Sequence, residues 1–376
     1  MTKKKMNIPL FKVHMPGSVM KPLKEVLFSG LVNEGVQVME FESRLRKLVG
    51  NPFTMATNSC TSSITLALKI AGVGPGDEVI TSPMTCVATN APISNLFARP
   101  VWCDIDVNTG NIDPVQIEEK ITGRTKAILF VDWTGIPADL DKINAIGRKR
   151  GIKVIEDAAQ GIGASYKGRS VGCISDFTCF SFQAIKHINT GDGGALSFSD
   201  ENDFKRGKKL KWFGIDREAT KDSAGNWKGS RWDCVIPEAG YKFHMNNIDA
   251  AIGIEQLKSL SGILKAHRRN AEYFLKSLNG VAGIRMPKIA EGILPAWWVF
   301  MLFAERRDDL SRKLAERGVH SSLLHVRNDI YGCFEGSSAL LPGVEKFQDC
   351  ELCIPCGWWV GKDEREYIAD VIKEGW

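Results

Sequence analysis

The chain has 376 residues, 44% of them hydrophobic and 25% charged, which is typical of a folded globular protein too long for one ordinary core. Its net charge of +5 is mild, and because no recognition motif accompanies the basic runs, we expect no nucleic-acid partner. No apolar stretch reaches the roughly 18 residues that a membrane span requires, and the start of the chain lacks the apolar core of a signal peptide, so we expect no membrane partner.

Helical patterns and short apolar strands alternate along the first part of the chain. Helical runs over 20–48, interrupted between 30 and 35, precede a predicted helix at 64–71 and an amphipathic helix at 140–150. The predicted strands are 78–82, 99–104, 126–131 and 153–156. This alternation indicates an α/β fold with a mostly parallel sheet that helices cover on both faces.

A long helix is predicted to begin around 246–257 and to continue to about residue 279. The segments that follow it, an apolar run at 300–303 and a helical run at 307–317, have the character of an α+β unit. We therefore place the change of domain at this helix. The division gives a large domain over 1–255 and a smaller C-terminal domain over 256–376.

The polar segment at 56–61 leads directly into the apolar helical pattern at 64–71. Ser and Thr side chains at a helix start cap its free amides, and the same amides can hold a phosphate. The glycines at 72–77 have a superficial likeness to a dinucleotide-binding loop, but they follow a helix and precede a strand. A dinucleotide loop requires the opposite order.

Lys186 lies among apolar and small residues before a glycine-rich run, and Asp157 follows the strand predicted at 153–156. A lysine that forms a Schiff base must be partly desolvated, so that its amine is neutral and nucleophilic. An acid must face the pyridine nitrogen of pyridoxal 5'-phosphate (PLP), because a protonated ring is the better electron sink. Ligands of parallel sheets gather at the carboxyl ends of strands, so the pair predicts a PLP enzyme.

The cysteines and the basic runs are interpreted as ordinary structural features and not as functional sites. Scattered cysteines are typical of reduced thiols, so we expect a cytoplasmic protein. Cys350, Cys353 and Cys356 could form part of a metal or iron–sulfur site, but no fourth ligand has suitable spacing, and a buried strand is favoured. We predict no metal site, although a metal-binding redox protein remains an alternative. The basic runs at 3–5 and 205–211 are expected to be solvated surface.

Seven runs of residues, in order, resemble those of a known family over nearly the whole chain. They are 30–35 with 41–42, 58–61, 74–79, 85–90, 135–140, 156–160 and 180–194. The chain resembles fold-type I PLP enzymes of the DegT/DnrJ/EryC1/StrS group, the sugar aminotransferases. The resemblance implies a large domain with a seven-stranded, mostly parallel sheet sandwiched by helices, a smaller α+β domain, and a homodimer with shared active sites.

The resemblance also implies roles for individual residues. Lys186 would bond to the cofactor and move a proton to the substrate carbon, whereas Asp157 would hold the proton on the ring nitrogen. Lysine at this position separates the aminotransferases from the family's sugar dehydratases, which carry histidine there. The further cofactor-binding residues implied are Ser59, Cys60, Thr61, Cys86, Gln160, Ser181 and Lys242, and the substrate-binding residues implied are His187, His244, His325 and Arg327.

Several of these positions depart from the family pattern. Cys60 stands where glycine or alanine is usual, and Cys86 stands where an aromatic residue often stacks on the cofactor. Many members read Asn and Arg where this chain has Lys242 and His244. In those relatives the Asn reaches the cofactor phosphate across the dimer, and Lys242 could do so as a point charge.

The resemblance predicts transfer of an amino group from L-glutamate to a keto-sugar. The favoured acceptor is a nucleotide-linked 4-keto or 3-keto 6-deoxy sugar, used for amino sugars of surface polysaccharide such as lipopolysaccharide. One alternative is an aminotransferase acting on a free keto-sugar acid, such as an oxidised octulosonate. The other alternative is a protein that binds a sugar nucleotide without turnover.

Overall fold

A seven-stranded sheet forms the centre of the protein, as seen in a computed structural model that describes residues 6–217, 219 and 234–376. The strands are β1 (Thr54–Thr57), β2 (Glu78–Thr81), β3 (Arg99–Trp102), β4 (Thr125–Val131), β5 (Lys153–Asp157), β6 (Ser165–Tyr166), β7 (Arg169–Ser170), β8 (Phe177–Ser181), β9 (Gly194–Phe198), β10 (Ile284–Arg285), β11 (Ile293–Leu294), β12 (Phe300–Ala304) and β13 (Glu351–Ile354). The large sheet has the order β1-β9-β8-β5-β4-β2-β3. Only β9 pairs antiparallel with its neighbours β8 and β1, so the predicted mostly parallel sheet is confirmed.

Helices cover the sheet, and local sequence signals set their ends. They are α1 (Met20–Phe28), α2 (Val36–Val49), α3 (Cys60–Ile70), α4 (Val87–Asn95), α5 (Pro114–Glu119), α6 (Leu140–Arg150), α7 (Glu201–Leu210), α8 (Asn247–Ser277), α9 (Arg307–Glu316), α10 (Pro342–Cys350) and α11 (Lys362–Lys373). Asp139 caps the start of α6, and Gly151 closes its end at φ 66°, in the left-handed region that favours glycine. The helix predicted at 140–150 therefore matches α6 residue for residue.

The long helix α8 contributes to two apolar cores. Ile254 and Leu264 pack in one core with Phe41 of α2, whereas Phe274 packs in another with Phe300 of β12. The predicted boundary between 255 and 256 falls within this uninterrupted helix, and the division into two domains stays a prediction. No helix among the described residues combines the length and apolar character needed to cross a membrane.

The basic run at 205–211 is not all solvated surface, contrary to expectation. Lys211 is only 5% exposed, and its Nζ lies 2.8 Å from Glu34 and 3.1 Å from Glu42. Burial opposes the charged form of this amine, but the two carboxylates outweigh it and raise the pKa of Lys211. The other basic run, at 3–5, lies outside the described residues.

The cysteine run near the C-terminus spans three different local structures. Cys350 ends α10, Cys353 lies in β13 and Cys356 is buried just beyond that strand. Within the described ranges, no cluster of His, Cys, Asp and Glu side chains is arranged to hold a metal ion. The ten cysteines are all free thiols. The interpretation as buried strand is confirmed for Cys353 alone.

Candidate active site

Asp157 ends β5 at the carboxyl edge of the sheet, where three groups hold its carboxylate. Oδ2 accepts a hydrogen bond from Thr89 Oγ1 at 2.7 Å, and Oδ1 accepts from the Ala159 amide at 3.0 Å and from Cys60 Sγ at 3.7 Å. Burial raises the pKa of the Asp157 carboxyl, while these donors and Lys186 act in the opposite direction. The carboxylate is thus oriented but poorly solvated, so it favours a cationic partner.

Lys186 lies in the turn that follows β8, where its amide donates to the Gln183 carbonyl at 2.9 Å. Burial lowers the pKa of its amine to about 8, although Asp157 attracts the protonated form. The Nζ atom lies 3.7 Å from the centroid of the Trp298 ring. A substantial fraction of the amine is therefore neutral near physiological pH, as a nucleophilic lysine requires.

The N-terminus of α3 lies beside the start of β9. Ser59 caps the helix by accepting a hydrogen bond from the Ser62 amide at 3.1 Å. The amides of Cys60 and Thr61 lie in the first turn, where no carbonyl of the helix precedes them, so they have no partner within the helix. A Cβ on Gly194 would come within 2.4 Å of the Ser59 carbonyl carbon. The close approach of β9 to this helix start thus requires glycine. Such a helix start is suited to bind a phosphate.

Ser181 ends β8, and Gln160 lies in the turn three residues after the neighbouring strand β5. Ser181 is the last residue of β8, and its Oγ accepts from the Gln183 amide at 3.3 Å. Gln160 is only 2% exposed, and its Oε1 accepts from the Thr134 amide at 2.7 Å. The amide nitrogen of Gln160 is the donor that could meet the phenolic oxygen of the cofactor.

A cavity of about 390 Å³ opens at the start of α4. Cys86, the residue before α4, and His325 both line it. The His325 ring meets Trp133 edge-on with 5.8 Å between centroids. Burial and the nearby Lys186 lower the pKa of His325 to about 4, so its ring is neutral at physiological pH. His325 can therefore offer a substrate one donor and one acceptor, but not a charge.

Two residues expected to bind substrate, His187 and Arg327, have partners in the surrounding structure. His187 is 2% exposed, its Nε2 hydrogen-bonds the Ala296 carbonyl at 3.1 Å, and its ring lies 4.8 Å from that of His267. Arg327 makes a two-point ion pair with Asp329, with distances of 2.7 and 2.6 Å. Neither residue lines the cavity beside Cys86, and a role of either in binding substrate stays a prediction.

Lys242 and His244 lie in the segment that pairs with Thr57 and Trp212. The Lys242 side chain is exposed, whereas His244 is 8% exposed and its Nε2 lies 2.7 Å from Asn33 Oδ1. The His244 ring also contacts Trp212 edge-on. A role for Lys242 or His244 at a partner subunit's phosphate stays a prediction.

Sequence reasoning missed two residues that contact the central pair. Thr89 donates to Asp157, although it lies in a run, 85–90, that carried the family resemblance. Trp298 lies against the Lys186 amine, with 3.7 Å between Nζ and the ring centroid. The Thr89 hydroxyl also lies 2.7 Å from that of Thr85, which precedes α4. No local pattern indicated that Trp298 would meet Lys186.

The set of groups at this edge of the sheet fits PLP. The α3 start would bind the phosphate, Asp157 would bind the ring nitrogen and Lys186 would bond to the aldehyde carbon. These groups come from β5, from the turn after β8 and from α3. Their assembly depends on the strand order, because β5 and β8 are neighbours in the sheet.

Comparison with known proteins gives full-length matches. The model of the DegT/DnrJ/EryC1/StrS aminotransferase family matches residues 16–373. The spore coat polysaccharide biosynthesis protein SpsC of Bacillus subtilis (strain 168) is 38% identical over 361 residues, which are 93% of this chain and 92% of that protein.

Solved structures show the same fold. The sugar aminotransferase CalS13 from Micromonospora echinospora is 34% identical, with a TM-score of 0.92 over 98% of this chain and 100% of that one. The PLP form of the putative sugar aminotransferase Spr1654 from Streptococcus pneumoniae is 26% identical, with a TM-score of 0.89 over 98% of each chain. The resemblance noted in the sequence is thereby confirmed.

Proposed function

Since the chain belongs to the DegT/DnrJ/EryC1/StrS aminotransferase family and is a PLP-dependent sugar aminotransferase, we propose that it moves an amino group from L-glutamate to a nucleotide-linked keto-sugar. The acceptor we propose is a 4-keto or 3-keto 6-deoxy sugar. The observation that carries the proposal is the half-buried Lys186, whose amine has a pKa lowered to about 8, together with the oriented Asp157 carboxylate that attracts it. This pair is the minimum that the chemistry needs.

Each residue of the site has a defined task. Bound PLP supplies an electron sink that weakens bonds at the substrate carbon. Lys186 can give up and take back a proton at Nζ, because its pKa of about 8 lies near physiological pH. Thr89 and the Ala159 amide keep the Asp157 carboxylate in one orientation. Neutral His325 can orient a sugar hydroxyl without attracting the amine.

The pathway, assembly and location belong to the same proposal. We propose a role in making surface polysaccharide such as lipopolysaccharide. The similarity to SpsC, a spore coat polysaccharide biosynthesis protein, supports surface polysaccharide in general. A homodimer with shared active sites is supported by the exposed apolar side chains of Phe28 and Leu31, which are 82% and 71% exposed. Cytoplasmic location is supported by the ten free cysteines.

Two half-reactions followed by absorbance test the activity. L-Glutamate alone should remove the visible absorption band of the PLP-loaded protein, and the true acceptor should restore it. The panel of acceptors should contain nucleotide-linked 4-keto and 3-keto 6-deoxy sugars and free keto-sugar acids. Restoration by a free keto-sugar acid alone would reject the nucleotide-linked acceptor.

A matched pair of lysine variants provides the control. Lys186→Ala should lose both the band and the adduct that borohydride traps, whereas Lys126→Ala, at an exposed position near the start of β4, should keep both. Protein that binds PLP through Lys186 yet ignores L-glutamate would point to another amino donor. A response to no amino donor at all would favour a binding protein without turnover.

A further inference from the structure

We infer that Trp298 is a positioning residue that holds the free amine of Lys186 away from Asp157. The inference rests on the proposed role of Lys186 and adds a residue to it. The Nζ atom of Lys186 lies 3.7 Å from the centroid of the Trp298 ring, well within the range of a cation–π contact. Trp298 is 3% exposed, so little water competes for that face.

The indole cannot easily turn away from the lysine. Its Nε1 donates to the carbonyl of Ile185 at 2.8 Å, and Ile185 directly precedes Lys186. Phe11 stacks on the indole with 4.8 Å between centroids and 25° between planes. The backbone amide of Trp298 donates to the Thr134 carbonyl at 2.9 Å. The ring is therefore tied to the same turn that carries the amine.

A free lysine amine beside a buried carboxylate creates a conflict. Lys186 and Asp157 attract each other, and a direct ion pair would occupy the carboxylate that the ring nitrogen of the cofactor requires. The amine is free before the cofactor is bound and again whenever the transferred amino group resides on the cofactor. The indole face offers a protonated amine an alternative partner without a formal charge.

The protein without cofactor allows a direct test, because the reactivity of an amine reports its protonation. The rate at which limiting acetic anhydride modifies Lys186 can be followed by mass spectrometry between about pH 6 and pH 10. Lys126, exposed on β4, is the internal reference. In Trp298→Leu the amine should pair with Asp157, and its reaction near neutral pH should slow about tenfold, equivalent to one pKa unit.

Three further variants separate positioning from general disruption. Trp298→Phe keeps an aromatic face, so its rates should stay within about threefold of the wild type. Adding Asp157→Asn to Trp298→Leu should restore the rates, because the competing carboxylate is gone. Trp358→Leu removes a different partly buried tryptophan, one that contacts Lys12 and not Lys186, and should change nothing at Lys186.

The outcomes decide the question in either direction. An unchanged profile in Trp298→Leu would overturn the inference, as would slowing that Asp157→Asn does not reverse or a Phe variant as slow as the Leu variant. If the Leu variant does not fold, Trp298→Met, which is flexible and apolar, takes its place with the same expectation. Because labelling uses no cofactor, it stays distinct from the borohydride experiment, whose failure would instead refute the role of Lys186.

Discussion

Replacing Glu351 by glutamine should stabilise the protein at alkaline pH and leave its stability at acid pH almost unchanged. Glu351 is 0% exposed in β13, and its Oε1 accepts a hydrogen bond from Cys353 Sγ at 3.0 Å. Burial raises the pKa of its carboxyl from 4.5 to about 8, against the attraction of Arg307. Glutamine matches the protonated acid in size and in lacking charge.

The direction in which stability changes with pH follows from proton binding. Below pH 4.5 both the folded and the unfolded chain carry the proton at Glu351, so the carboxyl has no effect on stability. Between pH 4.5 and about 8 the unfolded chain releases it while the folded chain retains it, so stability falls as pH rises. At about 1.4 kcal/mol per pH unit, the unfolding free energy falls by at most about 5 kcal/mol across this pH range, and above it the loss stays constant.

Urea unfolding of wild type and Glu351→Gln across this range measures the effect. The difference in unfolding free energy should grow in favour of glutamine from about pH 4.5 to pH 8. Glu316→Gln, on the exposed surface of α9, is the matched control and should follow the wild type. A Glu351→Gln variant that also follows the wild type would show that folded Glu351 ionises without hindrance, and the reasoning would fail.

Two further substitutions test other parts of the structure. Lys211→Met leaves the carboxylates of Glu34 and Glu42 without their shared cation, so urea unfolding should show that the unfolding free energy falls by roughly 3–5 kcal/mol. No measurable fall would mean that water, or the ion pairs of Arg217 with Glu34 and of Arg46 with Glu42, compensates for the lost amine. Gly194→Ala places a Cβ within 2.4 Å of the backbone that starts α3, so PLP should bind at least about tenfold more weakly in a fluorescence titration. Gly262→Ala, in open space on α8, is its control and should bind PLP normally.

Local patterns predicted the parts of the fold that local interactions determine. Strands β2 to β5 and helix α6 were predicted to within two residues, because apolar runs and helical periodicity are visible in short windows. The two-residue strands β6, β7, β10 and β11 were not predicted. Each depends on a partner far away in the chain, such as Ile293 opposite Tyr166, and two residues show no periodicity.

The site was predicted where motifs coincide with strand ends, and less well elsewhere. Lys186, Asp157 and the start of α3 come together because β5 and β8 are adjacent. His187 is next to Lys186 in sequence, but its side chain is buried against His267. Arg327 finds its partner only two residues away, at Asp329. Residue type and position in a motif do not tell whether a side chain is already engaged.

The two acids that end β5 show why charge has to be assigned from structure. Successive side chains of a strand point to opposite faces, so Glu156 and Asp157 enter different surroundings. Glu156 and Asp132 are both 0% exposed, and Glu156 Oε1 and Asp132 Oδ2 have no hydrogen-bond partner among the described residues. Burial raises the pKa of each carboxyl, and each also influences the other. Two buried carboxyls in contact favour a shared proton. Asp157, held by three donors, is then the member of this group that is best placed to carry a charge towards a cationic ring.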